Sequence, residues 1–163
     1  MADGGASTMI ILVASLLISG AASVVLIDAW GDVVKTASDN SKGKQADAET
    51  DISFSGDIGD VELDTSGANQ NITLYFLNTG VRNLDNDSLS IFVDGVPSNI
   101  SRLAIYPTST VWGPDYLVEV IVSEASFAYV DNDIVKVTAV VKSTVSGGAS
   151  GTASVSEEVR LSV

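Results

Sequence analysis

The sequence contains no cysteine and no histidine, which excludes disulfide frameworks, thiol nucleophiles, Ser-His-Asp machinery and zinc sites built from imidazole or thiolate. Those two absences remove most enzyme classes together. The missing cysteine does not report a redox compartment, because a domain with an adequate core needs no staple wherever it resides. Basic residues are scarce: 8 Lys and Arg stand against 21 Asp and Glu, for a net charge of −13, and no basic stripe reverses that balance locally. Such a surface repels a phosphate backbone, so nucleic acid is not a partner, and docking on anionic headgroups is disfavoured as well. It suits a soluble exterior, salty surroundings or a basic partner. No phosphate-binding loop of the G-x-x-x-x-G-K type is present, and no cofactor is implied.

Charge is also missing from one long stretch. Thr8 to Ile27 (TMIILVASLLISGAASVVLI) carries none, and about 20 residues at a 1.5 Å rise make roughly 30 Å, the hydrocarbon thickness of a bilayer. Trp30 follows where an amphipathic ring sits at headgroup level, and Asp28 and Asp32 mark the return to water. A cleaved secretory signal has a basic n-region, whereas the first basic residue here is Lys35. A buried core helix has a polar face, whereas this segment is apolar all round. A retained hydrophobic helix is therefore expected. Ser15, Ser19, Gly20, Ala22 and Ser23 give it small residues suited to close helix–helix approach, although small residues are common in membrane helices generally. Lys35, Lys42 and Lys44 follow the span, and the positive-inside rule places them in the cytoplasm, against an exported domain.

At 163 residues the chain holds one ordinary domain plus an appendage. We read residues 1–30 as a membrane-spanning or filament-core helix, 31–50 as a helix extension and stalk, and 51–163 as a β domain. Trp30, Val33, Val34 and Ala37 recur at helical spacing before SDNSKGKQADAE, which reads as a hinge or stalk. Beyond Asp51, short alternating runs are separated by Gly, Asn, Asp and Pro. Ile52 with Phe54, Val61 with Leu63, Asn71–Leu77, Leu89–Val93, Leu103–Tyr106, Leu117–Val122, Ile134–Val141 and Val155–Val163 predict seven or eight strands. The expected class is α+β: one long N-terminal hydrophobic helix followed by an antiparallel immunoglobulin-like β-sandwich. STVSGGASGTAS reads as a flexible loop.

Asp85-Asn86-Asp87 and Asp131-Asn132-Asp133 offer oxygen ligands but lack the spaced pattern of a calcium loop, and turn formation is the better reading. Glu119 with Asp131 would make a two-carboxylate site only in a cleft with tuned acidities, which nothing in the sequence implies; no catalytic residue is assigned. Asn71, Asn86 and Asn99 each begin a glycosylation sequon, usable only on an exported face.

Several segments together resemble the archaellum accessory G/F family, membrane proteins of the archaeal flagellar motor. They are Ile11-Leu12-Val13-Ala14-Ser15-Leu16-Leu17 with Ala21-Ala22, then Glu49-Thr50-Asp51-Ile52, Leu74-Tyr75-Phe76-Leu77-Asn78-Thr79-Gly80, Leu84, and Ile91-Phe92-Val93-Asp94-Gly95. The likeness implies a membrane helix and an extracellular β-sandwich acting as a stator, with a surface-layer or other envelope protein, archaellum components and further copies of itself as partners. Archaellins and archaeal type IV pilins share the same plan and are the alternative: a subunit polymerising through its N-terminal helix into an extracellular filament. Those subunits carry a short basic leader before the helix. Met1-Ala2-Asp3-Gly4-Gly5 has no basic residue, which favours the accessory reading. In the family, the segment after the anchor is often more regularly helical than SDNSKGKQ suggests.

Overall fold

The structure is a computed structural model and describes residues 4–163. One α-helix, α1 (Gly4–Ala48), is followed by eight strands: β1 (Ile52–Phe54), β2 (Val61–Asp64), β3 (Gln70–Asn78), β4 (Ser90–Val93), β5 (Val96–Tyr106), β6 (Leu117–Glu124), β7 (Ile134–Lys142) and β8 (Thr152–Ser162). The chain divides into two compact units, residues up to Ser41 and Lys42–Val163, so the last helical turns belong to the β unit.

The helix contains no proline, and its interior glycines Gly20, Gly31 and Gly43 each cost about 1 kcal/mol relative to alanine without breaking it. The stretch expected to be a hinge is helical to Ala48. The reason is tertiary: Ala46 is fully buried in the β unit, which holds the final turn against a sequence of indifferent propensity.

In the β unit the alternation expected of the sequence is the alternation observed. Ile72, Leu74 and Phe76 of β3, Val118, Val120 and Val122 of β6, and Val135, Val137, Ala139 and Val141 of β7 are buried on one face while their neighbours are not. With Trp112, Ile91, Val93, Val159 and Leu161 they form one core.

The topology differs from an antiparallel immunoglobulin-like sandwich. The strands pair in the order β1-β3-β2-β8-β7-β4-β5-β6, and β6 returns to β3, so the sheet closes into a mixed barrel. Closure uses a parallel pairing, Val61 with Leu161 and Glu62 with Ser162, between β2 and the end of β8. It also uses β5, which pairs with β4 through Val96–Ser98 and with β6 through Asn99–Tyr106, with an irregularity between Ile100 and Arg102. A bulge bends a strand in this way and lets it pass from one sheet to the next. The β4–β5 connection is the two-residue turn Asp94-Gly95, both at positive φ, as a tight hairpin requires.

The segment expected to be a mobile loop is a second tight turn. Ser146 and Ala149 exchange backbone hydrogen bonds of 3.1 and 3.3 Å around Gly147-Gly148, both at positive φ, and Thr144 N donates to Asn83 O at 2.9 Å. Glycine composition that reads as flexibility here supplies the left-handed geometry of a hairpin turn.

Candidate functional site

Two features concentrate chemistry: the surface of α1 and the joint where it meets the barrel. Every side chain from Met9 to Val34 that is large and apolar is exposed, Met9 at 70%, Leu16 at 68% and Val34 at 61%. A helix left bare in this way lacks its solvent or its partner. The hydroxyls do not disturb the apolar surface: Ser15 Oγ donates to Leu12 O at 2.9 Å and Ser23 Oγ to Ser19 O at 2.8 Å.

At about 100° per residue, Ser15, Ser19, Ala22 and Ser23 fall on one face roughly 100° wide, and Leu26, Trp30, Val33 and Ala37 continue it. Gly20 lies off this face, with open space about it. Leu26, Ala29, Trp30 and Val33 line a shallow apolar groove along the stripe. Asp28, Asp32, Lys35 and Asp39 occupy the opposite side. The helix is thus apolar all round as far as Ile27 and one-sided beyond it. The one-sided part lies past the length that lipid requires.

The joint is built from main chain as much as from side chains. Thr50 Oγ1 donates to Ala46 O at 2.6 Å, and Asp47 Oδ1 accepts from Thr152 N at 3.0 Å. Glu49 O accepts from Val81 N and Arg82 N, and Asp51 O from Thr79 N and Gly80 N. Thr79 Oγ1 adds a bond to Asp51 Oδ2 at 2.9 Å. Two glycines permit this approach: a Cβ at Gly151 would fall onto the Ala46 carbonyl and 2.5 Å from Thr50 Oγ1, and one at Gly80 would lie 2.6 Å from Glu49 O and Asp51 N. Arg82 completes the joint, donating to Glu49 Oε2 at 2.7 Å and to the carbonyls of Ala149 and Ser146. The hydrogen bond from Arg82, with a second from Gln45, holds the Glu49 carboxyl below its ordinary range.

The sequence did not single out Asn78, which is fully buried beneath the joint. Its Nδ2 donates to Arg82 O and Trp112 O, and its Oδ1 accepts from Gly80 N. The Asn-Thr-Gly turn that helped to carry the family resemblance was the only signal of it.

Of the sequons, Asn71 is half-buried in β3 between β2 and β6, and Asn86 sits in a short 3-10 turn with Nδ2 on Thr110 O. Asn99 is exposed on β5, where its Nδ2 meets Glu124 Oε2 at 3.3 Å. The acidic turns do structural work: Asp85 caps the 3-10 turn through Asp87 N, Asp133 Oδ2 accepts from Val130 N, and Asp131 Oδ1 accepts from Val163 N. Glu119 is engaged elsewhere, with Tyr106 OH at 3.2 Å and Arg102 at 3.8 Å.

The chain thus combines an N-terminal helix whose large apolar side chains are exposed with a closed mixed barrel. The family model of archaeal-type flagellins matches residues 2–159, and the chain belongs to that family. Membership makes it a motility-related component of the archaeal flagellum, from a structural and non-enzymatic family, and does not single out the accessory G/F group that its residues resemble. No curated protein sequence matches the chain. Among solved structures it is similar to AggA, the major subunit of aggregative adherence fimbriae type I from Escherichia coli, at 10% identity and a TM-score of 0.30, over 70% of this chain and 93% of that one.

Proposed function

We propose that the chain is a filament subunit of the archaeal motility apparatus, its N-terminal helices packed together as the filament core and its barrels forming the outer wall. The observation that carries this reading is that the apolar face of Leu26 and Trp30 continues through Val33 and Ala37, which are exposed beyond the roughly 20 residues that a bilayer would cover. Lipid gives such a stripe no cover, whereas neighbouring helices do. Ser15, Ser19, Ala22 and Ser23 on the same face supply the close approach, with Gly20 beside it and Trp30 as the large anchor above. The final location is extracellular, after a membrane-anchored stage. There Asn99 is the sequon best placed to carry a glycan, since Asn71 and Asn86 are partly enclosed by their neighbours.

A second reading keeps the helix in lipid and makes the chain an accessory stator that ties the motor to a surface-layer or other envelope protein. The resemblance of the anchor and of the Asn-Thr-Gly turn to the accessory family favours it. Shearing separates the two. A subunit is abundant in purified sheared filaments, and loss of its gene removes the filament; a stator remains with the membrane, and its loss leaves filaments that do not drive swimming. Absence of the chain from sheared filaments would overturn the main reading.

A further inference from the structure

The scarce cations of the chain are unevenly placed. Beyond the helix there are Arg82, Arg102, Lys136, Lys142 and Arg160. Arg82 is engaged in the joint, and Arg102 lies 3.8 Å from Glu119. The other three share the outward face of β4, β7 and β8. They stand at even-numbered positions, alternating with the buried Val135, Val137, Val141, Val159 and Leu161, and all three are exposed. Ile134 pairs with Arg160 and Lys136 with Glu158, which sets Lys136 and Arg160 on a diagonal of neighbouring strands. Lys142 lies six residues further along β7, about 20 Å away. None of the three forms an ion pair among the described residues. Between them lie Phe92, Val140 and the hydroxyl pair of Thr138 and Ser156, 2.9 Å apart. Glu158 is the only carboxylate at an outward position of these strands, so a chain of net charge −13 turns one face positive.

Across the core, the outward face of β2, β3 and β6 has the opposite sign. Glu62 and Asp64 are exposed on β2, and Glu119 stands beside Tyr75 in the β3–β6 register. Tyr75 and Ile121 are half-buried at its centre, in a shallow depression that these carboxylates help to line. Burial, then the charges of Glu119 and Glu62, raise the Tyr75 hydroxyl above its ordinary value.

We propose that the β4–β7–β8 face of one chain docks on the β2–β3–β6 face of a second copy, setting Lys136 and Arg160 against the carboxylates of Glu62, Asp64 and Glu119. Like faces repel, so the contact is front to back, and each docked copy leaves one face free for the next. Copies therefore join in a row rather than closing as a pair. Each face is about 20 Å long and three strands wide, small for a stable free dimer, so the contact holds where helices already concentrate the copies. The inference rests on the filament-subunit reading, which brings those copies together.

The chain has no cysteine, so introduced thiols are unique. Thr73→Cys marks the acidic face and Ser156→Cys the basic one. In a chain carrying both, a short bismaleimide added to whole cells gives a ladder of dimers and higher multimers, whereas chains carrying either alone stay monomeric. Adding Lys136→Glu and Arg160→Glu reduces the ladder by about tenfold or more, and Glu62→Lys restores part of it. An unchanged urea midpoint shows that the barrel is intact in each. If the chain is abundant in sheared filaments and no ladder forms, the docking is overturned and the filament reading stands. If the chain is absent from sheared filaments, the filament reading falls, and the membrane fraction decides the docking: a ladder there keeps it and monomers overturn it. Cross-linking of Ser156→Cys alone to a different, larger species also overturns it, because the basic face would then belong to another partner.

Discussion

Arg82 Nε lies 2.7 Å from Glu49 Oε2, and the same guanidinium reaches the carbonyls of Ser146 and Ala149, so one side chain ties the end of the helix to the Gly-Gly turn. The planar fork of arginine serves three acceptors where the single ammonium of lysine would not. Arg82→Ala should therefore destabilise the β unit by about 1–3 kcal/mol, chiefly by stranding the two carbonyls. Urea unfolding followed by the fluorescence of the buried Trp112 measures it, and Arg82→Lys should recover only part of the loss.

The same pair sets an acid dependence. Because Arg82 and Gln45 hold the Glu49 carboxyl below its ordinary value, Glu49 contributes stability above the unfolded carboxylate range, and that contribution fades as pH falls through its lowered folded value. The difference in melting temperature between the parent and Arg82→Ala should be constant near neutrality and shrink below about pH 4.5. A difference independent of pH would mean that the ion pair contributes nothing.

Gly151 and Gly147 make a controlled comparison. At Gly151 the obstacle is main chain, the Ala46 carbonyl, which cannot move without undoing the joint. Gly147 has open space but a φ of 63°. Gly147→Ala should cost about 1–2 kcal/mol through left-handed strain alone, whereas Gly151→Ala should exceed about 3 kcal/mol and expose the amides from Glu49 to Ile52 to exchange. Gly43→Ala, in the helix with nothing within 4 Å, should be neutral or stabilising by up to about 1 kcal/mol. Equal effects at Gly151 and Gly147 would remove the steric account of the joint.

At alkaline pH the reporter is Tyr129. Burial, then the 3.1 Å hydrogen bond to Asp94 Oδ2 and the charge of that carboxylate, push its hydroxyl up to about 12. A group whose folded value is raised contributes stability that is intact below the unfolded value and lost as pH rises through the folded one. Stability should therefore decline between about pH 10 and 12, and Tyr129→Phe should abolish that step at the cost of the Asp94 bond. Spectrophotometric titration of the phenols, with Tyr129→Phe as the blank, checks it.

How much of this was legible depended on the range of each interaction. The β3 alternation Ile72, Leu74, Phe76 and the apolar run Met9–Ile27 are local patterns, and both read correctly. The closure of the barrel rests on Val61 with Leu161, residues about as far apart in the β unit as the chain allows, and no local pattern encodes a parallel pairing of that kind. Val96 to Ser101 was missed as strand because polar and proline residues mask a segment held by neighbours on both sides. Gly80 and Gly151 looked like ordinary turn residues, since what they accommodate arrives from elsewhere in the chain. The helix face was partly legible: Trp30, Val33 and Ala37 showed the period, but their continuity with Ser15, Ser19, Ala22 and Ser23 follows only once the helix is known to run unbroken through Gly31.

That continuity gives the sharpest test of assembly. Val33 lies six residues beyond Ile27, the last residue of the uncharged stretch, so an aspartate there meets water or headgroups in a membrane-bound chain but a neighbouring helix in a packed core. Val33→Asp should leave membrane insertion intact, since the Thr8–Ile27 stretch is untouched, and should abolish incorporation into filaments. Aspartate at Ser38, at the same helical angle as Gly20 and so off the stripe, should do neither. Fluorescence follows the same event from the other side. With Trp112→Phe, Trp30 is the sole emitter, and its spectrum should shift to the blue on assembly as neighbouring helices cover a ring now 63% exposed. Val33→Asp filaments of normal yield, with Trp30 emission unchanged from the membrane-bound chain, would place the helix in lipid for good and return the accessory reading to first place.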